Sequence, residues 1–221
     1  MNRKLRILIA LAGGLVAALP CAANIIVNGS FENPVSLGFL ETPFPGFLEL
    51  QPGSVALPGW TVVTSEIAQL YPSCGCGIFA SDGGYSLDLT GIRTALGGVR
   101  QTISTVTGAT YSISFDVGAT PDDGQVRVTA GSLTALQTSV GAGSSVHWTT
   151  YNGVFTALSA STDVTLQGTI GSGATSQYLG LDNVIVNLNQ LPAGTTPEPG
   201  TFFLLAGAML VIVKRRLEAS V

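Results

Sequence analysis

Lysine is missing from the whole stretch between Asn24 and Pro197, where three arginines (Arg93, Arg100, Arg127) face eleven carboxylates for a net charge of −8. A field of that sign repels phosphate backbones and anionic lipid, which makes nucleic acid and anionic membrane surfaces poor partners of this stretch. Neutral sugars and divalent cations are tolerated. Histidine is almost as scarce, with His147 the single one in the chain. There is no His-rich metal motif, no Gly-x-Ser-x-Gly elbow and no phosphate-cradling glycine loop. Paired carboxylates suffice for glycoside cleavage. Here, however, Asp122 and Asp123 sit in a Pro-Asp-Asp-Gly turn, and Asp82, Asp88 and Asp116 fall near turns or on wet strand faces. The expectation is a protein without catalytic residues.

Cysteine is limited to Cys21, Cys74 and Cys76. Cys21 lies in a leader expected to be removed, which leaves the pair in "YPSCGCGIF". Outside the cell two neighbouring cysteines suggest a Cys74–Cys76 disulfide, although the ring is tight and an intermolecular bridge or a free pair stays open. Two thiols without further ligands make an incomplete metal site.

Long apolar runs are also lacking. The N-terminus has a basic start (Arg3, Lys4, Arg6), then an uncharged stretch from Ile7 to Leu19, then Pro20, with Cys21 and Ala23 at the small −3 and −1 positions. This is the build of a secretory signal peptide over residues 1–23, cut after Ala23. An uncleaved anchor is the alternative.

Helical periodicity is absent from the middle of the chain, which is rich in Thr, Ser, Val, Ile and Gly. In "TYSISFDVG", Tyr111, Ile113, Phe115 and Val117 share one face while Ser112, Ser114 and Asp116 share the other, the pattern of a half-buried strand. Further strands are expected in "IIVNGSF", "GWTVVT", "YSLDLTG", "VRQTIST", "GQVRVTAG", "TALQTSV", "TTYNGVFTAL", "DVTLQGTI" and "LDNVIVNL". Turn signals such as Asp82-Gly83-Gly84 and Pro121-Asp122-Asp123-Gly124 separate them. Eight to ten short strands at this spacing predict an all-β, two-sheet sandwich over residues 24–190. Residues 34–59, with scattered Pro, Gly, Phe and Leu, read as one insertion packed over it. Trp60 is expected to anchor the core, and Asn28-Gly29 to turn the chain so that Phe31 enters it.

In order along the chain, "IIVNGSFENP", "LPGWTV", "SDGGYSLDLTG", "GGVRQTISTVTGATYSISFDVG" and "YLGLDNVIVNL" resemble the choice-of-anchor family of bacterial surface proteins. More loosely they resemble carbohydrate-binding modules of the galactose-binding-like jelly-roll fold. The resemblance implies a jelly-roll β-sandwich. It also implies a structural calcium joining Glu32, just after the first strand, to Asp182 in the last, with backbone carbonyls completing the oxygen shell. For sugar binding, the rings on hand are Tyr71, Phe79, Tyr85, Trp148, Tyr151 and Tyr178, and several must serve the core.

The end of the chain, "TTPEPGTFFLLAGAMLVIVKRR", resembles the PEP-CTERM sorting signal: Pro197-Glu198-Pro199 in the linker 191–200, then a short apolar helix and a basic cluster over 201–221. From Thr201 to Val213 a helix rises about 20 Å, short of the roughly 30 Å hydrocarbon core. Lys214, Arg215 and Arg216 would stay cytoplasmic. Such a segment can stop transfer, yet it makes a marginal permanent anchor. An ordinary single-pass anchor is the alternative. The resemblance implies an exosortase-type processing enzyme as partner, transient insertion in the inner membrane, and delivery to the surface or extracellular polysaccharide matrix of a Gram-negative bacterium. The expected function is a non-catalytic exported protein that binds carbohydrate. The alternatives are a structural or adhesive protein with protein partners and, last, a weak glycan-active enzyme.

Overall fold

The computed structural model describes residues 23–32, 41–72, 74, 77–92, 95–141, 143, 145–170 and 177–192. Residues 1–22 of the leader, the sorting tail with Pro197, Glu198, Pro199, Lys214, Arg215 and Arg216, and Cys76 lie outside these residues. Among the described residues no helix is long and apolar enough to cross a membrane. All regular structure there is strand: β1 (Glu41–Phe44), β2 (Phe47–Leu50), β3 (Thr61–Val63), β4 (Ile67–Leu70), β5 (Ser86–Asp88), β6 (Gly98–Ser104), β7 (Thr110–Thr120), β8 (Gly124–Ala130), β9 (Leu133–Ser139), β10 (His147–Thr156), β11 (Ser161–Ile170) and β12 (Tyr178–Gln190).

These strands form two antiparallel sheets in a jelly-roll sandwich. The seven-stranded sheet runs β1-β2-β4-β5-β12-β7-β10 and the five-stranded sheet β3-β6-β11-β8-β9. Alternation decides which side chains meet between them. Tyr111, Ile113, Phe115 and Val117 of β7 are all buried, as are Val126 and Val128 of β8 and Val164 and Leu166 of β11, in one continuous core. Trp60 and Phe31 close the end of that core with ring centroids 5.5 Å apart, and the Trp60 indole N–H donates to Asn28 O at 3.0 Å. Fully burying a side chain such as Phe31 or Phe115 contributes about 1.5–3 kcal/mol each.

β4 (Ile67–Leu70) is a strand where none was expected, and two further segments differ from the sequence-based expectation. "IIVNGSF" forms bends rather than a strand, because Asn28 and Phe31 take left-handed backbone conformations (φ 52° and 56°). It still follows β12: Ile25 N–H donates to Val186 O and Val184 N–H to Gly29 O, both at 2.9 Å. Gly29 is required at this seam, since a Cβ there would sit 2.0 Å from Val184 O. The second difference is the expected insertion. Residues 41–50 form a hairpin that extends the seven-stranded sheet instead of lying over the sandwich. Its two-residue turn is Pro45-Gly46, with Gly46 at φ 91°, and Phe44 stacks on Phe47 at 4.8 Å. Proline pre-sets the first turn residue and glycine accepts the second, so the hairpin closes in spite of its proline content.

Candidate ligand platform on the seven-stranded sheet

The outer face of the seven-stranded sheet is where alternation breaks down. β7 reads half-buried, buried, half-buried, buried up to Phe115, then stays buried from Asp116 to Thr120. β12 is buried without interruption from Tyr178 to Asp182. The loop residues 77–85, between β4 and β5, lie over this patch and cover it.

Carboxylates hold the loop down. Asp182 Oδ2 accepts from the backbone N–H groups of Ser81 (2.8 Å) and Asp82 (3.0 Å), and Oδ1 from that of Asn183 (2.7 Å). Asp116, opposite Asp182 in the ladder, accepts from the Ser81 hydroxyl (2.8 Å), the Asn183 amide (3.1 Å) and the Thr150 hydroxyl (2.6 Å). At the far end of the loop Glu32 Oε1 accepts from Gly84 N–H (2.9 Å) and Tyr85 N–H (2.8 Å). Asp182 is fully enclosed, and burial pushes its carboxyl up to about 7 against the pull of those N–H donors. Burial likewise raises Asp88 to about 6, opposed by bonds from Thr90 and Leu179. The Tyr178 phenol is raised by burial too and shares a 2.9 Å hydrogen bond with the Ser86 hydroxyl.

Glu32 and Asp182, the pair expected to share a calcium, therefore both reach residues 81–85. The groups around them do not fit a shared cation. Hydrogen-bond donors occupy both oxygens of Asp182 and Oε1 of Glu32, whereas Ca²⁺ needs six to eight oxygen ligands. Among the described residues no group of three or more His, Cys, Asp or Glu could hold a metal. The loop's own amides perform the joining that the resemblance gives to an ion. Cys74 is disulfide-bonded. Asp123, which the sequence places in a turn, accepts from Gly141 N–H at 2.9 Å there.

Beside the clamped loop lies Trp148. Register places Trp148 of β10, Gly118 of β7 and Gly180 of β12 in one row across the sheet. A Cβ on Gly118 would lie 2.9 Å from the indole and one on Gly180 2.6 Å from it. The indole thus rests on a shelf of two glycines, the close approach that glycine inside a strand signals. Its N–H donates to Phe79 O at 3.0 Å, and Tyr178 meets it edge-on at 6.2 Å. Trp148 remains partly exposed. A small cleft of about 170 Å³ opens next to it, lined by Gly77, Phe79, Ala80, Ser145, Val146 and Trp148. Phe79 is 78% exposed, which a lone ring tolerates only at a cost in water. Of the other rings, Tyr151 stacks on Phe115 at 4.9 Å, and Tyr71 meets Tyr85 edge-on at 5.7 Å.

The DUF642 family description (protein of unknown function) matches residues 24–186, the sandwich and its outer loop together. The chain belongs to the DUF642 family. No curated protein matches the chain. Solved structures similar to this DUF642 domain include a CBM4 carbohydrate-binding module, 19% identical, covering 74% of this chain and 99% of that one at a TM-score of 0.40. TmCBM61, solved in complex with β-1,4-galactotriose, is 12% identical over 76% of this chain and 99% of that one, TM-score 0.47. The CBM22-1 xylan-binding domain of Paenibacillus barcinonensis Xyn10C is 15% identical over 64% and 91%, TM-score 0.42.

Sequence reasoning ranks Trp148 and Phe79 only among six available rings and places Asp116 on a wet face. The signal it does not use is glycine: Gly118 and Gly180 interrupt two well-formed strands at positions that oppose each other.

Proposed function

We propose that this DUF642 protein is an exported, non-catalytic surface or matrix protein that binds a neutral carbohydrate on the outer face of its seven-stranded sheet. The observation that carries the reading is the Trp148 indole packed against Gly118 and Gly180 and bordering an open cleft, with exposed Phe79 beside it. An indole held in place by the glycine row, the Phe79 carbonyl and Tyr178 beside a cleft is a ring that the apolar face of a pyranose can stack on. Immobilising it in advance lowers the entropy lost on binding. A sandwich with no lysine and eleven carboxylates disfavours anionic glycans and leaves neutral ones.

For the address, the support is the tail, whose resemblance to the PEP-CTERM signal suits processing by an exosortase-type enzyme. A mature envelope protein that still carries residues 200–221 would count against that half of the reading.

The binding half is tested by screening the full chain on an array of neutral glycans, with Phe79→Ala and Trp148→Ala alongside. Both variants are expected to lose about ten-fold or more in affinity, the order that one stacked ring supplies. Phe79→Ala should melt like the parent because its side chain is exposed. If the parent retains no glycan, or both variants bind as well as it does, the reading fails.

A further inference from the structure

The platform does not end at Trp148. Successive outward residues of a strand stand in line at every second position, so Trp148, Thr150, Asn152 and Val154 form one row along β10, about 20 Å long. Val154 is 57% exposed, and Thr150 and Asn152 are exposed as well. The far end of the row opens into a second cleft of about 340 Å³, where Ser112, Ser114, Asn152, Val154, Ile185 and Asn187 contribute to the walls. Register brings them together: Asn152 lies opposite Ser114 and Val154 opposite Ser112 on one side, Ile185 and Asn187 opposite the same two serines on the other. This wall is hydroxyl, amide and aliphatic, and it carries no charge. Asn187 Oδ1 is buried without a hydrogen-bond partner within the protein, and an amide turned toward the cleft by a ligand hydroxyl would recover that bond.

We infer that the ligand is an extended, unbranched neutral polysaccharide segment that runs along β10 from the Trp148 platform to the Asn152–Asn187 cleft, rather than a terminal sugar. This rests on the carbohydrate reading of the same face. One stacked ring accounts for a single sugar unit, whereas a straight row about 20 Å long ending in a polar cleft accommodates several. The hydroxyl and amide wall supplies the neutral hydrogen-bond donors and acceptors that successive sugar hydroxyls require.

Calorimetry on the full chain with β-1,4-linked gluco-, galacto- and xylo-oligosaccharides of two to six units tests the inference. For at least one series, six units should bind at least ten-fold tighter than two. The double substitution Asn152→Ala/Asn187→Ala should abolish that gain, while Trp148→Ala weakens every length. Asn152→Ala alone, at an exposed position, should remove part of the gain without altering the melting temperature. Equal affinity at all lengths overturns the extended-chain inference and leaves the carbohydrate reading standing. A length gain that survives the double substitution also overturns it, because the chain then runs elsewhere. Binding to none of the three series, with none on the glycan array, overturns the carbohydrate reading itself.

Discussion

The two sheets are made from similar strands and end up with different outer faces. In the five-stranded sheet, β6, β8 and β11 keep the alternation of buried and open positions along most of their length. Their outward residues, such as Arg100 and Asp163, face water with side chains 47% and 51% exposed. In the seven-stranded sheet the same period-2 pattern holds through Phe115 and then fails, because residues 77–85 are fastened across β7 and β12. What differs is not the propensity of the strands but whether a loop can find acceptors on them. Asp116 and Asp182 provide those acceptors, and two glycines beside them leave room for an indole.

The largest effect should come from removing the clamp. Asp182→Ala leaves three backbone N–H groups without their acceptor, which predicts a loss of about 2–4 kcal/mol in urea unfolding. It should also give faster proteolytic nicking within 77–85. The same melts run with calcium and with a chelator should superimpose; a calcium-dependent rise in melting temperature would show that a cation, and not the loop alone, joins Glu32 to Asp182.

A middle-sized effect should appear with pH. Asp182 and Asp88 both titrate higher in the folded protein, at about 7 and about 6. Between about 4 and 7 the folded state therefore retains protons that the unfolded chain has released. Stability is favoured at the acid end of that window and falls as pH rises through each folded value. Asp88 Oδ1 alone accepts from Thr90 N–H, the Thr90 hydroxyl and Leu179 N–H, and an asparagine can keep all three bonds. Asp88→Asn should accordingly match the parent at pH 4 and melt above it at pH 8. A parent whose melting temperature rises steadily from pH 4 to 8 would contradict burial as the origin of both shifts.

The smallest effect belongs to the wet sheet. Asp163 meets Arg100 at 3.8 Å and accepts from the Thr102 hydroxyl at 2.6 Å, in the open. Asp163→Ala should change stability by no more than about 0.5 kcal/mol. A cost comparable to that of Asp182→Ala would erase the distinction between the two faces.

Much of the fold is legible in the residues. The alternation in "TYSISFDVG" and "GQVRVTAG", with the turns between them, identifies the long strands and the sandwich, and Trp60 and Phe31 are recognisable as core. The β1–β2 hairpin is not, since four-residue strands flanked by proline and glycine carry too little periodicity to stand out from a loop. The clamp is beyond reach for another reason: Ser81 and Asp182 are 101 residues apart, and nothing local to either announces the other. By itself the sequence determined the fold class, the sign of the charge and the exclusions that follow from it, because these depend on composition and on period-2 burial. Only the tertiary structure decided which acids are buried, which of six rings packs on the glycine row beside a cleft, and which face is the candidate for binding. Those depend on strand register, which sets Trp148, Gly118 and Gly180 in one row and brings a distant loop onto Asp116 and Asp182.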